Sequence, residues 1–173
     1  MTKHCMVDLE TMSVAPNAVI LTLGAVHFNP RSNTIDNELY IKFSIDDQDL
    51  LNRHIDPKTI DWWAKQNPKI IEEAFGDSER TPVKEAIKLF HKFAWGCDAF
   101  WSHGSVFDIV ILENLYKQLE MATPWNYWQV RDTRTIFDIG YKHNMPQESK
   151  HNALEDAKRQ AIGVQNVYAQ LKY

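Results

Sequence analysis

The sequence contains no apolar run that approaches the length of a membrane-spanning helix, and its first residues contain no hydrophobic segment of the signal-peptide type. Cysteine is also rare. The two cysteines, Cys5 and Cys97, are too few for a disulfide framework and do not form a CxxC pattern. We therefore expect a cytoplasmic protein with reduced, buried thiols and no membrane partner.

Positive charge is not in excess either. The chain has 19 Lys and Arg against 23 Asp and Glu, so its formal net charge is −4. The composition therefore does not indicate a broad basic surface for nucleic acid. An acidic enzyme can nevertheless act on a polyanion, because bound metal ions supply positive charge where the reaction occurs.

What is present is the composition of an ordinary globular domain, with 173 residues of which 44% are hydrophobic. Three consecutive β-favouring runs, at His4–Thr11 and at residues 18–28 and 39–43, predict an antiparallel meander. Beyond them, helical patterns alternate with short strands at Ala99–Ser102 and residues 129–132. We therefore predict one α/β domain over residues 1–173, with a mixed sheet flanked by helices.

The first predicted strand carries two acidic side chains, Asp8 and Glu10, within an apolar run. Because side chains alternate between the faces of a strand, these two should project together and away from Val7 and Leu9. Buried neighbouring carboxylates repel each other and lose solvation, so a bound cation is one way to hold them together. Mg²⁺ and Mn²⁺ prefer such oxygen ligands. The alternative is an edge strand whose two acidic side chains are exposed to water, which would need no metal.

Two further carboxylates and a histidine occur near predicted helix starts. Asp108 begins the helix that follows the strand Ala99–Ser102, and Asp156 lies early in the last helix. Asn152, with a glutamate three residues later, is typical of a helix N-cap. On one continuous helix His151 and Asp156 would lie about 140° apart. With Asn152 as the N-cap, His151 instead lies in the preceding loop and is able to turn back towards Asp156.

These residues fit a site in which two cations, about 3.5–4 Å apart, hold the attacking and leaving oxygens of a phosphoryl displacement. We expect Asp8 to bridge both cations. Glu10 and Asp156 would complete the coordination of the first cation, and Asp108 would hold the second, partly through water. His151 would take the proton from the attacking water, because imidazole titrates near neutrality.

The complete pattern resembles the DEDDh 3′–5′ exonucleases of the ribonuclease H-like superfamily. The resemblance rests on three segments, residues 7–11 (Val-Asp-Leu-Glu-Thr), residues 102–109 and residues 151–157 (His-Asn-Ala-Leu-Glu-Asp-Ala), and it spans essentially the whole chain. It implies a ribonuclease H-like sheet and a requirement for Mg²⁺ or Mn²⁺, two ions per site. It also implies that nucleoside 5′-monophosphates are released from the free 3′ end of single-stranded RNA or DNA.

A further segment resembles one branch of that family. Residues 59–68, Thr-Ile-Asp-Trp-Trp-Ala-Lys-Gln-Asn-Pro, look like the Trp-Trp helix of the phage-type branch that includes mycobacterial RNase AS. Trp62 and Trp63 are adjacent on a helix and hence about 100° apart, so we expect one in the core and the other stacked on a base. The resemblance also implies that Thr11 and Met12 border the substrate, although Met12 as a core residue is an equal alternative.

Two other functions agree with the same sequence. A nucleic-acid-binding or interaction domain could keep this fold without activity, but we would then expect a carboxylate or the histidine to be lost, and all five are present. A metal-dependent hydrolase of short oligonucleotides would use the same residues. The preference for RNA or DNA stays open at this point, and a homodimer is an open alternative to a monomer.

Overall fold

The computed structural model describes residues 2–148 and 150–171. Its strands form one six-stranded sheet in the order β4-β3-β2-β1-β5-β6. The strands are β1 His4–Thr11, β2 Ile20–Phe28, β3 Ile35–Phe43, β4 Arg80–Thr81, β5 Ala99–Ser102 and β6 Val130–Asp132. The helices are α1 Ile45–Leu50, α2 Pro57–Trp63, α3 Pro68–Phe75, α4 Val83–Ala94, α5 Asp108–Gln118, α6 Thr133–Phe137 and α7 Ala153–Gln170, with a 3₁₀ turn at Tyr127–Gln129.

The sheet is mixed, as predicted. β1 pairs antiparallel with β2, and β2 pairs antiparallel with β3, which confirms the meander. β5 then lies parallel to β1, and β6 lies parallel to β5. The fold class is therefore an α/β sheet flanked by helices, and β1 lies inside the sheet between β2 and β5.

The two faces of β1 contribute to different cores. Cys5, Val7 and Leu9 pack with residues of α4 and α5 in one buried cluster. Met6 points the other way and packs with Ala157 of α7. Asp8 and Glu10 continue the face of Met6, so the alternation of side chains brings both carboxylates to the face that α7 covers.

Helix α7 lies unusually close to the sheet at Gly24. This glycine pairs with Asp8 across β1 and β2. A Cβ atom at Gly24 would lie 2.1 Å from the carbonyl carbon of Ala153, so only glycine leaves room for the first turn of α7. The missing side chain therefore allows the start of α7 to lie directly beside Asp8.

Helix α1 was not predicted, because its sequence Ile-Asp-Asp-Gln-Asp-Leu has little apolar periodicity. Ser44 caps it by accepting from the amide of Asp47. Its buried residue, Gln48, accepts from the amide of Ile20 at 2.7 Å and donates to the carbonyl of the same residue at 2.8 Å. A long-range polar contact therefore stabilises this helix in place of an apolar face.

Apolar residues at Ile139 and Tyr141 continue the helical spacing from Ile136, but the helix that follows β6 does not include them. Helix α6 ends at Phe137, and both of those side chains are exposed. Gly140 adopts a φ of +94°, a left-handed conformation that interrupts a right-handed helix.

Among residues 2–148 and 150–171, no helix combines the length and the apolar character needed to cross a membrane.

Candidate active site

The four predicted carboxylates and His151 line a single cavity of about 210 Å³ between β1, α5 and α7. Distant parts of the chain therefore meet there, as the resemblance implied. The complete lining comprises Asp8, Leu9, Glu10, His103, Phe107, Asp108, His151, Asp156, Arg159 and Gln160.

Asp108 is placed by the first turn of α5 and by a hydrogen bond from the neighbouring strand. The amide of Leu9 donates to Asp108 Oδ1 at 3.0 Å. Only 3% of the Asp108 surface is exposed, so this bond holds a carboxylate that has little access to bulk water. The hydrogen bond fixes Asp108 against the same strand that carries Asp8 and Glu10.

His151 lies in the loop before α7, as the capping pattern predicts. The Asn152 side chain accepts from the amides of Leu154 and Glu155, both at 3.1 Å, and so caps the helix. His151 itself has a φ of +46°, which is uncommon for a residue with a side chain and turns the chain sharply before the cap. One potential ligand atom from each of Glu10, His151 and Asp156 lies within 4.8 Å of the others.

Burial and mutual repulsion make the carboxylates of this cavity unusually basic. Burial, together with the charges of Asp156 and Asp108, raises the pKa of Glu10 to about 8. Burial also raises the pKa of Asp108 to about 7, although the Leu9 amide acts in the opposite direction. For Asp8, burial and the charges of Asp108 and Glu10 raise the pKa well above its usual value. With all four carboxylates ionised, the cluster would carry more negative charge than its surroundings neutralise.

This charge imbalance fits a divalent cation. Among the lining residues that the structure describes, Arg159 is the only lysine or arginine beside the four carboxylates. A hard cation such as Mg²⁺ or Mn²⁺ would be coordinated by carboxylate oxygens and would offset their repulsion. The donor set thus suits the metals that the resemblance implies.

Two lining residues, Arg159 and Gln160, were missed in the sequence. Arg159 Nε donates to Asp156 Oδ1 at 2.6 Å, and Arg159 Nη1 donates to the carbonyl of Pro146 at 3.0 Å. Gln160 Nε2 donates to Asp8 Oδ1 at 2.8 Å. Both residues follow Asp156 by three and four positions, which places them on the same face of α7. That spacing is the sequence signal that could have identified them.

A second cavity of about 440 Å³ adjoins the first. The two share the lining residues Leu9, Glu10 and Phe107. Thr11 also lines the second cavity, and its Oγ1 donates to the carbonyl of Ser13 at 2.6 Å. The two cavities together form a groove that leads from the carboxylates to helix α2.

The two tryptophans of α2 have different environments. Trp63 is 2% exposed and donates from Nε1 to the carbonyl of Thr11 at 2.9 Å, so it is the core residue of the pair. Trp62 is 42% exposed, lines the second cavity, and lies edge-on to His151 with ring centroids 5.0 Å apart. Met12 packs against the cluster around Trp63 and, within the described residues, does not line either cavity. The sequence could not distinguish these environments.

Comparison with known families gives one match across almost the whole chain. Residues 3–168 match the family described as the 3′–5′ exoribonuclease Rv2179c-like domain. The comparison with curated proteins returned no match.

Solved structures with the same fold include two exonucleases. The zinc-bound complex of E. coli exonuclease I with single-stranded DNA has a TM-score of 0.71 at 13% identity, over 98% of this chain and 41% of that chain. Exonuclease X in complex with 5′ overhanging duplex DNA has a TM-score of 0.60 at 17% identity, over 95% of this chain and 90% of that chain. The chain thus spans about two-fifths of exonuclease I, and at these identities the likeness establishes the fold.

Proposed function

This chain belongs to the Rv2179c-like 3′–5′ exoribonuclease domain family, and from that membership we propose that it hydrolyses single-stranded nucleic acid from the 3′ end to nucleoside 5′-monophosphates. The observation that carries the proposal is the single cavity that collects Asp8, Glu10, Asp108, His151 and Asp156. Because the family is described as exoribonucleases, RNA is the substrate that we favour over DNA.

The proposed site is of the DEDDh type, with two Mg²⁺ or Mn²⁺ ions. Asp8, Glu10, Asp108 and Asp156 would hold the ions. When bound, such ions polarise the scissile phosphate and make the attacking water more acidic. His151 would accept the proton of that water, since its imidazole lies within 4.8 Å of potential ligand atoms of Glu10 and Asp156.

The second cavity is the proposed position of the 3′-terminal nucleotide. Its lining includes the exposed ring of Trp62, together with Thr11 and Glu10. Exposed aromatic rings stack on bases of single strands with little sequence preference. The Trp-Trp helix is also the basis for proposing that the chain belongs to the phage-type, RNase AS-like branch. That it forms a single exonuclease domain is proposed from the family match over residues 3–168.

A gel time course with 5′-labelled single-stranded RNA and DNA of one sequence tests the proposal. We expect a ladder that shortens from the 3′ end in Mg²⁺ or Mn²⁺, stops in chelator, and develops faster on RNA. A 3′-phosphorylated copy of each strand is the matched control and should resist cleavage. Binding without cleavage would instead indicate a non-catalytic domain. Dinucleotides are tested as separate substrates, and cleavage of these alone would indicate a hydrolase of short oligonucleotides.

Replacing Trp62 by alanine is expected to raise KM for the oligonucleotide. Stacking on one base contributes about 1–3 kcal/mol, which corresponds to an increase of about 5- to 150-fold in KM. Trp62→Phe should retain most of the affinity, because a stacking surface remains. Steady-state kinetics on a short RNA would measure both variants.

The matched control for this substitution is Trp128→Ala. Trp128 is 60% exposed and, within the described residues, lies outside both cavities. Its removal should leave KM unchanged. If Trp62→Ala lowers kcat while KM stays constant, the residue acts through its contact with His151 and not on the substrate.

A further inference from the structure

Gln160 is almost completely buried next to the proposed metal ligands. It is 2% exposed and lies on α7, one turn beyond Asp156. Its neighbours Ala157 and Ala161 are fully buried against the sheet, so the helix approaches β1 closely at this point. A buried amide in these surroundings needs protein partners, because bulk water does not reach it.

The amide nitrogen of the Gln160 side chain is directed at Asp8. Gln160 Nε2 lies 2.8 Å from Asp8 Oδ1, across 152 positions of sequence. When Asp8 binds a cation, its carboxylate is ionised and only accepts hydrogen bonds, so it must be faced by the amide nitrogen of Gln160 and not by the amide oxygen. The contact in the structure is thus the one that a metal-binding Asp8 requires.

The amide oxygen of Gln160 has no hydrogen-bond partner among the described residues, although it is buried. Most buried polar atoms in proteins are paired, and an exception calls for a functional explanation. Gln160 lines the cavity that contains the four carboxylates. Its burial with one atom unpaired is therefore accounted for by the bond that its nitrogen donates to Asp8.

We propose that Gln160 is a positioning residue, which holds one oxygen of Asp8 and leaves the other available for the cations. This inference rests on the proposed function, because it assumes that Asp8 is a metal ligand. Groups that hydrogen-bond to metal ligands fix their orientation, and removing such a group typically weakens metal binding about 10- to 100-fold.

Two substitutions remove the contact in different ways. Gln160→Met keeps the length and most of the volume of the side chain but has no amide. Gln160→Asn keeps the amide but is one methylene too short to maintain the bond to Asp8. Use of both variants keeps the test valid if one of them does not fold.

The matched control is Gln165→Met on the same helix. Gln165 is 6% exposed and donates to the carbonyls of Asn29 and Thr34 at 3.1 and 2.8 Å. It is thus another buried glutamine whose amide is hydrogen-bonded, but it does not line the cavity of the carboxylates in the described part of the chain. Its substitution should lower the melting temperature and leave metal affinity unchanged.

Titration with Mn²⁺ by isothermal calorimetry, without substrate, is the decisive measurement. We expect the Gln160 variants to bind Mn²⁺ about 10- to 100-fold more weakly than the wild type. On RNA we expect a lower kcat at limiting Mn²⁺, recovery at high Mn²⁺, and little change in KM. A variant that folds and binds Mn²⁺ within twofold of the wild type would overturn the role of Gln160 alone. A wild-type protein that binds no Mn²⁺ would overturn the proposed metal centre, and the inference with it.

Discussion

Asp8→Asn is expected to abolish metal-dependent cleavage, with kcat/KM reduced by about three orders of magnitude or more. Asp8 lines the cavity with the other three carboxylates, whose charges all raise its pKa, and it would be a ligand of the cations. Loss of an ionic ligand at that point removes several kcal/mol of transition-state stabilisation, and each 1.36 kcal/mol corresponds to about a factor of ten in rate. Single-turnover cleavage of a 5′-labelled RNA in saturating Mg²⁺ would measure the loss.

The same substitution should make the metal-free protein more stable. The introduced amide oxygen would still accept the hydrogen bond of Gln160, and the cost of burying an ionisable group beside other carboxylates would be removed. We expect the melting temperature in chelator to rise by a few degrees, and the additional stabilisation by Mg²⁺ to disappear. Loss of activity together with a gain of stability separates a metal ligand from a structural residue.

The control for Asp8→Asn is Asp36→Asn, which removes a carboxylate from an exposed position of β3. It should change neither cleavage nor the response of the melting temperature to Mg²⁺. Full activity of Asp8→Asn would contradict the assignment of the metal site.

His151→Ala is expected to lower kcat by about 10²- to 10⁴-fold with little change in KM, the effect typical of a lost general base. The proposed ligands remain in this variant, so calorimetry should still detect Mn²⁺ binding. Measurement of kcat and KM on a short RNA in saturating metal would distinguish the two effects. An unchanged kcat with a raised KM would rule out His151 as the base.

A second histidine of the cavity makes this test sharper. His103 also lines the cavity, and its Nδ1 lies 2.6 Å from Thr133 Oγ1, so one ring nitrogen is already paired within the protein. Unlike His151, it does not belong to the group of ligand atoms formed with Glu10 and Asp156 in the described residues. We expect His103→Ala to reduce kcat much less than His151→Ala. The opposite order would identify His103 as the proton acceptor.

The close approach of α7 to the sheet explains how this site is assembled from distant segments. Gly24 leaves room for the backbone at Ala153, so the histidine loop and the first turn of α7 reach the carboxylates of β1. Beyond that turn, Arg159 and Gln160 bond to Asp156 and Asp8. One helix therefore carries a proposed ligand and two groups that bond to carboxylates, and its N-cap directly follows the proposed base.

The sequence by itself determined the features that depend on local spacing. Alternation along β1 predicted that Asp8 and Glu10 share a face, because side-chain direction in a strand follows from position alone. The pattern at Asn152 predicted the start of α7 and left His151 in the loop, because capping needs only neighbouring residues. Together with the order of strands and helices along the chain, these local rules predicted the α/β fold class and selected the candidate ligands.

Only the tertiary structure decided the features that depend on contacts between distant residues. Trp62 and Trp63 are chemically identical, and the hydrogen bond from Trp63 to Thr11 determines which ring is buried. Helix α1 is held by the contact of Gln48 with Ile20, which leaves no periodic signal in the sequence. Spacing from Asp156 places Gln160 on the same face of α7, but the partner of its amide, Asp8, lies 152 positions away and is not specified by that spacing. Burial and long-range hydrogen bonds arise from how segments pack, and packing is a property of the whole chain.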